Sequence, residues 1–194
     1  AHSCSDAHPG PSPTWEAVQA ALGPRSALVE FFVYHTFNPG APRTDAWGES
    51  RYAAYVVLAS GKPWAVDLGP ARTVEKAVEE LRHELASRGS EVLVRARELH
   101  ALLLEDIEAR LGKTVDSLVI SPDGALHLVP FAALVDVNED YIIEKRVLSY
   151  VTSGRDLLRL AVRSTPRQLP LLLGGIDFRG DFGPAASRGQ AQRA

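Results

Sequence analysis

The chain has 194 residues, of which 45% are hydrophobic and 23% charged, and its formal net charge is -3. This length is enough to bury the core of one domain, and the composition excludes a collagen, a disulfide scaffold and a wholly disordered chain. A net charge this small also excludes attraction of nucleic acid or of an anionic membrane by the field of the whole chain.

The N-terminal segment has no pattern of a folded element. Residues 1–13 are polar and contain three prolines, so we expect a flexible linker and no signal peptide. His2, Cys4 and His8 lie in it, but their spacing matches no zinc pattern, and no metal site is expected. Cys4 is the one cysteine and cannot form an intrachain disulfide, which fits a cytoplasmic location.

A short helix and three strands are predicted next. Thr14 is a favourable N-cap for a helix over residues 14–22, which Gly23 ends. The strands are rich in β-branched and aromatic residues, and Asn38, Pro39 and Gly40 mark residues 36–50 as a loop. Short connections predict an antiparallel meander. The predicted strands are residues 27–35, 52–59 and 64–68.

The hydrophobic period then changes to that of helices. Val74, Val78, Leu81 and Leu85 predict one helix after Pro70. A second, longer helix is predicted from residue 92 to residue 111, with one continuous apolar face and Gly112 at its end.

The C-terminal part predicts further strands and one helix. Residues 116–131 are interpreted as a strand, a turn at Pro122-Asp123-Gly124 and a second strand. Residues 141–151 predict another strand, and Ser153 and Asp156 have the spacing of a capping box for a helix to about residue 163. A buried strand over 171–176 ends before Asp177, and residues 179–194 are expected to be a flexible tail.

Motifs for chemistry are absent from the sequence. It has no Gly-x-Ser-x-Gly elbow, no phosphate loop and no dinucleotide fingerprint, and no cofactor or metal is expected. No apolar run reaches the length of a membrane span. Asp177 follows a strand, where open parallel sheets bind ligands, although the simpler interpretation, which we favour, is that it caps or solvates a turn.

Three segments together resemble a known family. They are ISPDGALHLVPFAALVD (120–136), DYIIEKRVLSYVTSGRDLLRL (140–160) and LPLLLGGIDF (169–178), and the stretch from residue 15 resembles the earlier part of the same domain. The resemblance is to the CHAT domain, a caspase-like domain often found after tetratricopeptide repeats in bacterial proteins. It spans residues 14–178, with Asp123, Gly124, Pro130, Phe131, Ser153, Gly154, Arg155 and Asp156 as structural motif positions.

The resemblance implies an α/β fold. N-terminal antiparallel strands and helices would lead into a largely parallel sheet with flanking helices. It also implies a histidine–cysteine dyad downstream of the strand before Asp177. His127 and Cys4 match neither member of the dyad, so no residue of this chain is expected to be catalytic, and the domain is expected to be truncated. The chain also begins at Ala1 and contains no methionine, which suggests a processed or cut chain.

The motif positions are expected to be scaffold. Asp123 and Gly124 would turn a hairpin, Pro130 and Phe131 would end its second strand and start the core, and Arg155 could pair with an acidic group elsewhere. By analogy with caspase-like folds, Asp177 would face the substrate cleft.

Three functions remain open at this point. The first is an inactive part of a caspase-like cysteine peptidase. The second is a non-catalytic binding or regulatory module, whose partner would be a protein or peptide such as the rest of the domain or upstream helical repeats. The third is a small-molecule hydrolase that uses carboxylates such as Asp177.

Overall fold

A computed structural model describes residues 14–160. These residues lie within the first of two units in the chain, which spans residues 1–162. Three short 3-10 turns accompany the helices and strands, at Gly112–Thr114, Gly124–Leu128 and Phe131–Ala133. The elements in chain order are α1 (Trp15–Ala21), β1 (Ser26–Phe37), β2 (Trp47–Leu58), β3 (Trp64–Pro70), α2 (Ala71–Ser87), α3 (Val92–Leu103), α4 (Glu105–Leu111), β4 (Ser117–Ser121), α5 (Ile142–Lys145), β5 (Val147–Tyr150) and α6 (Arg155–Leu160).

The five described strands form one mixed sheet in the order β3-β2-β1-β4-β5. β1 pairs with β2, and β2 with β3, in antiparallel register, which confirms the predicted meander. β1 pairs with β4, and β4 with β5, in parallel register. The expected α/β fold, with antiparallel N-terminal strands leading into parallel ones, is therefore confirmed.

Helices pack on both faces of the sheet. The larger core lies against α2, α3 and α4 and includes Val29 and Phe31 from β1 and Leu118 and Ile120 from β4. The smaller core joins α1 and α6 to residues of alternate strand positions, such as Leu28. This arrangement follows from the period of two along each strand, which sends neighbouring side chains to opposite faces.

The N-terminal helix begins where the sequence predicts. The Thr14 hydroxyl accepts a hydrogen bond from the N–H of Ala17 at 3.2 Å, which is an N-cap contact. The Gln19 side chain donates to the carbonyls of Leu58 and Gly61, at 2.8 and 2.9 Å. These bonds attach α1 to the end of β2.

The predicted long helix over residues 92–111 is instead two helices. The chain leaves helical geometry at Leu104, where φ is -124° and ψ is -21°. Leu103 and Leu104 are both fully buried, and a straight helix would turn these successive side chains about 100° apart. The hydrophobic period continues across the break, so periodicity could not reveal it.

The predicted hairpin at Asp123 and Gly124 is wrong, and so is its second strand. Residues 124–128 and 131–133 form 3-10 turns. Both edges of β4 are already occupied by β1 and β5, so no edge remains for a hairpin partner. Phe131 does enter the core, as expected, because it is fully buried.

Two further boundaries differ from the prediction. β1 and β2 extend into the predicted loop, and Phe37 lies opposite Trp47 with ring centroids 4.8 Å apart. This aromatic pair supports the longer hairpin. The predicted strand over 141–151 divides into α5 and β5, with Arg146 between them.

Within residues 14–160, no helix combines the length and the apolar character that crossing a bilayer requires.

Candidate functional site

The motif positions converge at the carboxyl edge of the sheet, which is the side at which the parallel strands β4 and β5 end. Because β4 and β5 are parallel, the loops that follow them leave from the same edge. Asp123 and Gly124 lie in the loop after β4, and residues 153–156 follow β5. Asp177, the expected substrate-cleft residue, lies outside the described residues.

Asp123 joins the loop after β4 to the central strand. One carboxylate oxygen accepts from the N–H of Val33 at 2.9 Å, and the other accepts from the N–H of Gly124 at 2.8 Å. Val33 lies beyond the part of β1 that pairs with β4. The side chain therefore takes over the bond that a neighbouring strand would otherwise make.

Gly124 packs directly against Tyr52 of β2. Its φ is +54°, and a Cβ at this position would lie 2.5 Å from the Tyr52 hydroxyl. That hydroxyl accepts a hydrogen bond from the N–H of Ala125 at 3.0 Å. Burial raises the pKa of the Tyr52 phenol, and the bond from Ala125 partly opposes this rise. Tyr52 is thus a fixed support for the loop.

The loop after β5 is held by two carboxylates. Asp156 accepts from the N–H groups of Thr152 and Ser153, at 3.0 and 3.3 Å, which is the backward contact expected of a capping box. The Ser153 hydroxyl donates to Glu30 of β1 at 2.9 Å, and the N–H of Gly154 donates to the same oxygen at 3.3 Å. The start of α6 is therefore fixed to the centre of the sheet.

Gly154 is required by close packing. A Cβ there would lie 2.5 Å from a methyl carbon of Leu28 and 3.2 Å from Glu30 Oε2. Arg155 follows it and is exposed, and within residues 14–160 it forms no ion pair. Pro130 precedes the turn that starts at the buried Phe131, whose ring lies 5.5 Å from that of Phe31.

An open cleft of about 720 Å³ lies beside these loops. The loop after β4 contributes Pro122 and His127, and Tyr150 comes from the end of β5. Asp156 and Arg159 of α6 add one charge of each sign. Burial raises the pKa of the Tyr150 phenol, while the backbone N–H groups of the 3-10 turn at residues 131–132 oppose this rise.

Within residues 14–160, neither serine of the loops beside the cleft has a histidine as its hydrogen-bond partner. The Ser121 hydroxyl donates to the carbonyl of Thr152 at 2.9 Å, and the Ser153 hydroxyl donates to Glu30. No histidine of residues 14–160 accepts a proton from either, and Cys4 lies outside this range. In the same range no three potential metal ligands come together.

A buried charged network was not predicted from the sequence. Glu108 of α4 contacts His100 Nε2 of α3 at 3.0 Å, and its other oxygen accepts from Arg146 Nε at 2.9 Å. Arg146 also donates to the carbonyl of Val115. Burial alone would raise the pKa of Glu108, but the bonds from His100 and Arg146 outweigh it and the pKa is lowered.

Glu30 was missed as well, although the sequence contains a signal for it. It is a single charge inside the apolar run ALVEFFV, and such a residue in a central strand needs a partner. The network around Glu108 has no comparable signal, because its members belong to three separate segments of the chain.

Comparison with known proteins identifies a family for this region. The family model described as the CHAT domain matches residues 93–192. The match starts at the second residue of α3 and covers just over half of the chain. No curated protein and no solved structure matches the chain.

Proposed function

The chain belongs to the CHAT domain family, and from this premise we propose that residues 14–178 are the scaffold part of a caspase-like domain. The observation that carries the proposal is the cleft at the carboxyl edge of β4 and β5, which the family-motif loops border without a histidine–cysteine pair among residues 14–160. A histidine–cysteine dyad, as the family resemblance implies, would have to come from residues outside this sequence.

The proposed domain begins before the region that the family model matches. The central strand β1 pairs with β2, which precedes Leu93, and with β4, which follows it. The sheet is therefore formed jointly by residues before and after the start of the family match. Tyr52, Glu30 and Val33 hold the two motif loops. These contacts support one domain that begins at residue 14.

The test is peptide hydrolysis by the purified chain. We expect no hydrolysis of fluorogenic peptides with a range of residues at the cleavage position. Neither Cys4→Ser nor thiol alkylation is expected to change this result. Hydrolysis that iodoacetamide abolishes and that Cys4→Ser removes would overturn the proposal. A catalytically active caspase-like peptidase, assayed in parallel, is the positive control.

We also propose a binding role, favoured by exposed apolar side chains near β5. Val137, Ile143, Val147 and Tyr150 are each more than half exposed, and they lie on β5 or in the segment that leads to it. Exposed apolar surface of this kind is typical of protein contact sites. The expected partner is a protein or peptide, such as a segment that carries the rest of a CHAT domain or upstream helical repeats.

Asp177 keeps its proposed place at the substrate cleft through the family resemblance alone. The alternative, a small-molecule hydrolase that uses Asp177, is tested by Asp177→Asn. Loss of a measurable hydrolytic activity in this variant would support that alternative, and unchanged activity would remove it.

A further inference from the structure

A second pocket, of about 430 Å³, lies between α1, the central strands and the start of α6. It shares no lining residue with the cleft at the sheet edge. Val18, Leu28 and Val57 form its apolar wall, and the aromatic rings of Trp15 and Tyr55 also border it. A pocket with an apolar wall and few polar groups has the general form of a ligand site.

Glu30 is the acidic residue of this pocket. It is half-buried, and one carboxylate oxygen accepts from the Ser153 hydroxyl at 2.9 Å and from the N–H of Gly154 at 3.3 Å. These two donors fix the carboxylate in place. No cationic group of residues 14–160 forms an ion pair with it, so the carboxylate is a pre-positioned partner for a cation.

The aromatic side chains favour the same class of ligand. Trp15 is 45% exposed and Tyr55 is 52% exposed. Both rings border the pocket, so a ligand bound there would contact them. The face of an indole or phenol ring attracts a cation. The apolar wall beside them suits the aliphatic stem that carries the cation in lysine and arginine.

We propose that this pocket binds a lysine or arginine side chain of a protein partner. The cationic group pairs with Glu30, and the aliphatic stem packs against Val18 and Val57. The rings of Trp15 and Tyr55 cover the bound side chain. The inference does not depend on the proposed relationship to peptidases, because no step of it uses the cleft at the sheet edge.

Arg155 provides an internal test, because it lines the same pocket. Its positive charge opposes the binding of a cation, so Arg155→Gln is expected to tighten the binding of a cationic probe. In a pocket for anions the same substitution would weaken binding. The sign of this one effect separates the two classes of ligand.

The experiment is isothermal titration calorimetry with the full chain. The probes are the peptide acetyl-Ala-Gly-Lys-Gly-Ala-amide, the same peptide with norleucine in place of lysine, the same peptide with glutamate, and n-butylamine. We expect the lysine peptide to bind, the norleucine peptide to bind about tenfold more weakly or not at all, and the glutamate peptide not to bind. Binding of n-butylamine without binding of the lysine peptide would overturn the assignment to a protein side chain.

Two variants and a matched control complete the test. Glu30→Gln is expected to weaken the lysine peptide about tenfold, and Trp15→Leu about threefold. Glu16→Gln removes the same charge from an exposed position next to Trp15 and is expected to leave affinity unchanged. Far-ultraviolet circular dichroism checks that each variant is folded, and if Glu30→Gln is unfolded, the Trp15→Leu and Arg155→Gln results decide. Equal affinity for the lysine and norleucine peptides, or weaker binding in Arg155→Gln, would overturn the proposal.

Discussion

Glu108 contacts the side chains of His100 and Arg146 in a part of the protein that is nearly closed to water. The side chains of His100, Glu108 and Arg146 are 4%, 15% and 10% exposed. A buried charge that loses its partner is costly because water cannot replace the lost bond. The network therefore fixes α3 and α4 to the segment that leads into β5.

Substitution of Glu108 tests whether this charged network stabilises the fold. Glu108→Gln leaves Arg146 without a counter-charge, and we expect the free energy of unfolding to fall by about 3 kcal/mol, measured by urea denaturation. Glu105→Gln, an exposed change on the same helix, is the control and should shift it by less than about 0.5 kcal/mol. Equal effects of the two variants would contradict a stabilising role for the network.

Asp136 is a second buried carboxylate, and it organises the turn before α5. It accepts from the N–H groups of Asn138 and Asp140, at 2.8 and 3.1 Å, and also from the Lys145 ammonium. Burial opposes ionisation, but these donors outweigh it and lower the pKa of Asp136 to about 2. The folded protein therefore binds this proton more weakly than the unfolded chain.

The lowered pKa of Asp136 predicts a dependence of stability on pH. Because the folded-state pKa lies below the ordinary value of 3.8, the contribution is present above about pH 4 and is lost as the pH falls through about 2. We expect Asp136→Asn to cost about 2 kcal/mol at pH 6 and progressively less towards pH 2. Urea denaturation across this range measures it, with the exposed Asp106→Asn as control. A pH-independent difference from the wild type would refute the linkage.

At the scale of elements, the connection after β4 shows how tertiary contacts select a turn. Pro122, Asp123 and Gly124 are turn residues in any context, and the positive φ at Gly124 agrees with that expectation. The element that follows is a 3-10 turn because β1 and β5 occupy both edges of β4. Tyr52 then leaves no space for a side chain at residue 124.

Alanine at residue 124 is the corresponding test. Gly124→Ala combines an unfavourable φ with a clash against the Tyr52 hydroxyl, and we expect a loss of about 2 kcal/mol or more in the free energy of unfolding. Gly61→Ala, which has a positive φ but open space around it, should cost about 1 kcal/mol. Tyr52→Phe removes the hydroxyl, so the double variant should lose less than the sum of the two single losses. Strict additivity would show that the contact with Tyr52 does not matter.

At the scale of the whole molecule, one sheet joins the N-terminal meander to the region that the family model matches. β1 lies at the centre of this sheet, between β2 of the meander and β4 of the matched region. Around β5, apolar side chains remain exposed, among them Ile143 and Val147. This difference between a closed core and an exposed apolar surface is the basis of the proposed binding role.

Self-association tests whether the exposed apolar surface around β5 binds a second copy of the chain. We expect the apparent mass of the chain in sedimentation experiments to rise with concentration, and the double variant Ile143→Glu/Val147→Glu to shift it towards the monomer. Leu93→Glu, on the exposed side of α3, is the matched control and should behave as the wild type. A wild-type chain that stays monomeric at all concentrations would argue against this contact.

The sequence by itself determined the elements whose cause is local. The cap at Thr14, the meander and the period of α2 follow from neighbouring residues, and the motif segments around Asp123 and Ser153 were sufficient to recognise the family. The tertiary structure alone decided the break at Leu104, the position of β4 between β1 and β5, and the contacts of Glu30 and Glu108. These features depend on which strand edges and charged partners are brought together from distant parts of the chain, and such contacts leave no period or spacing in the sequence.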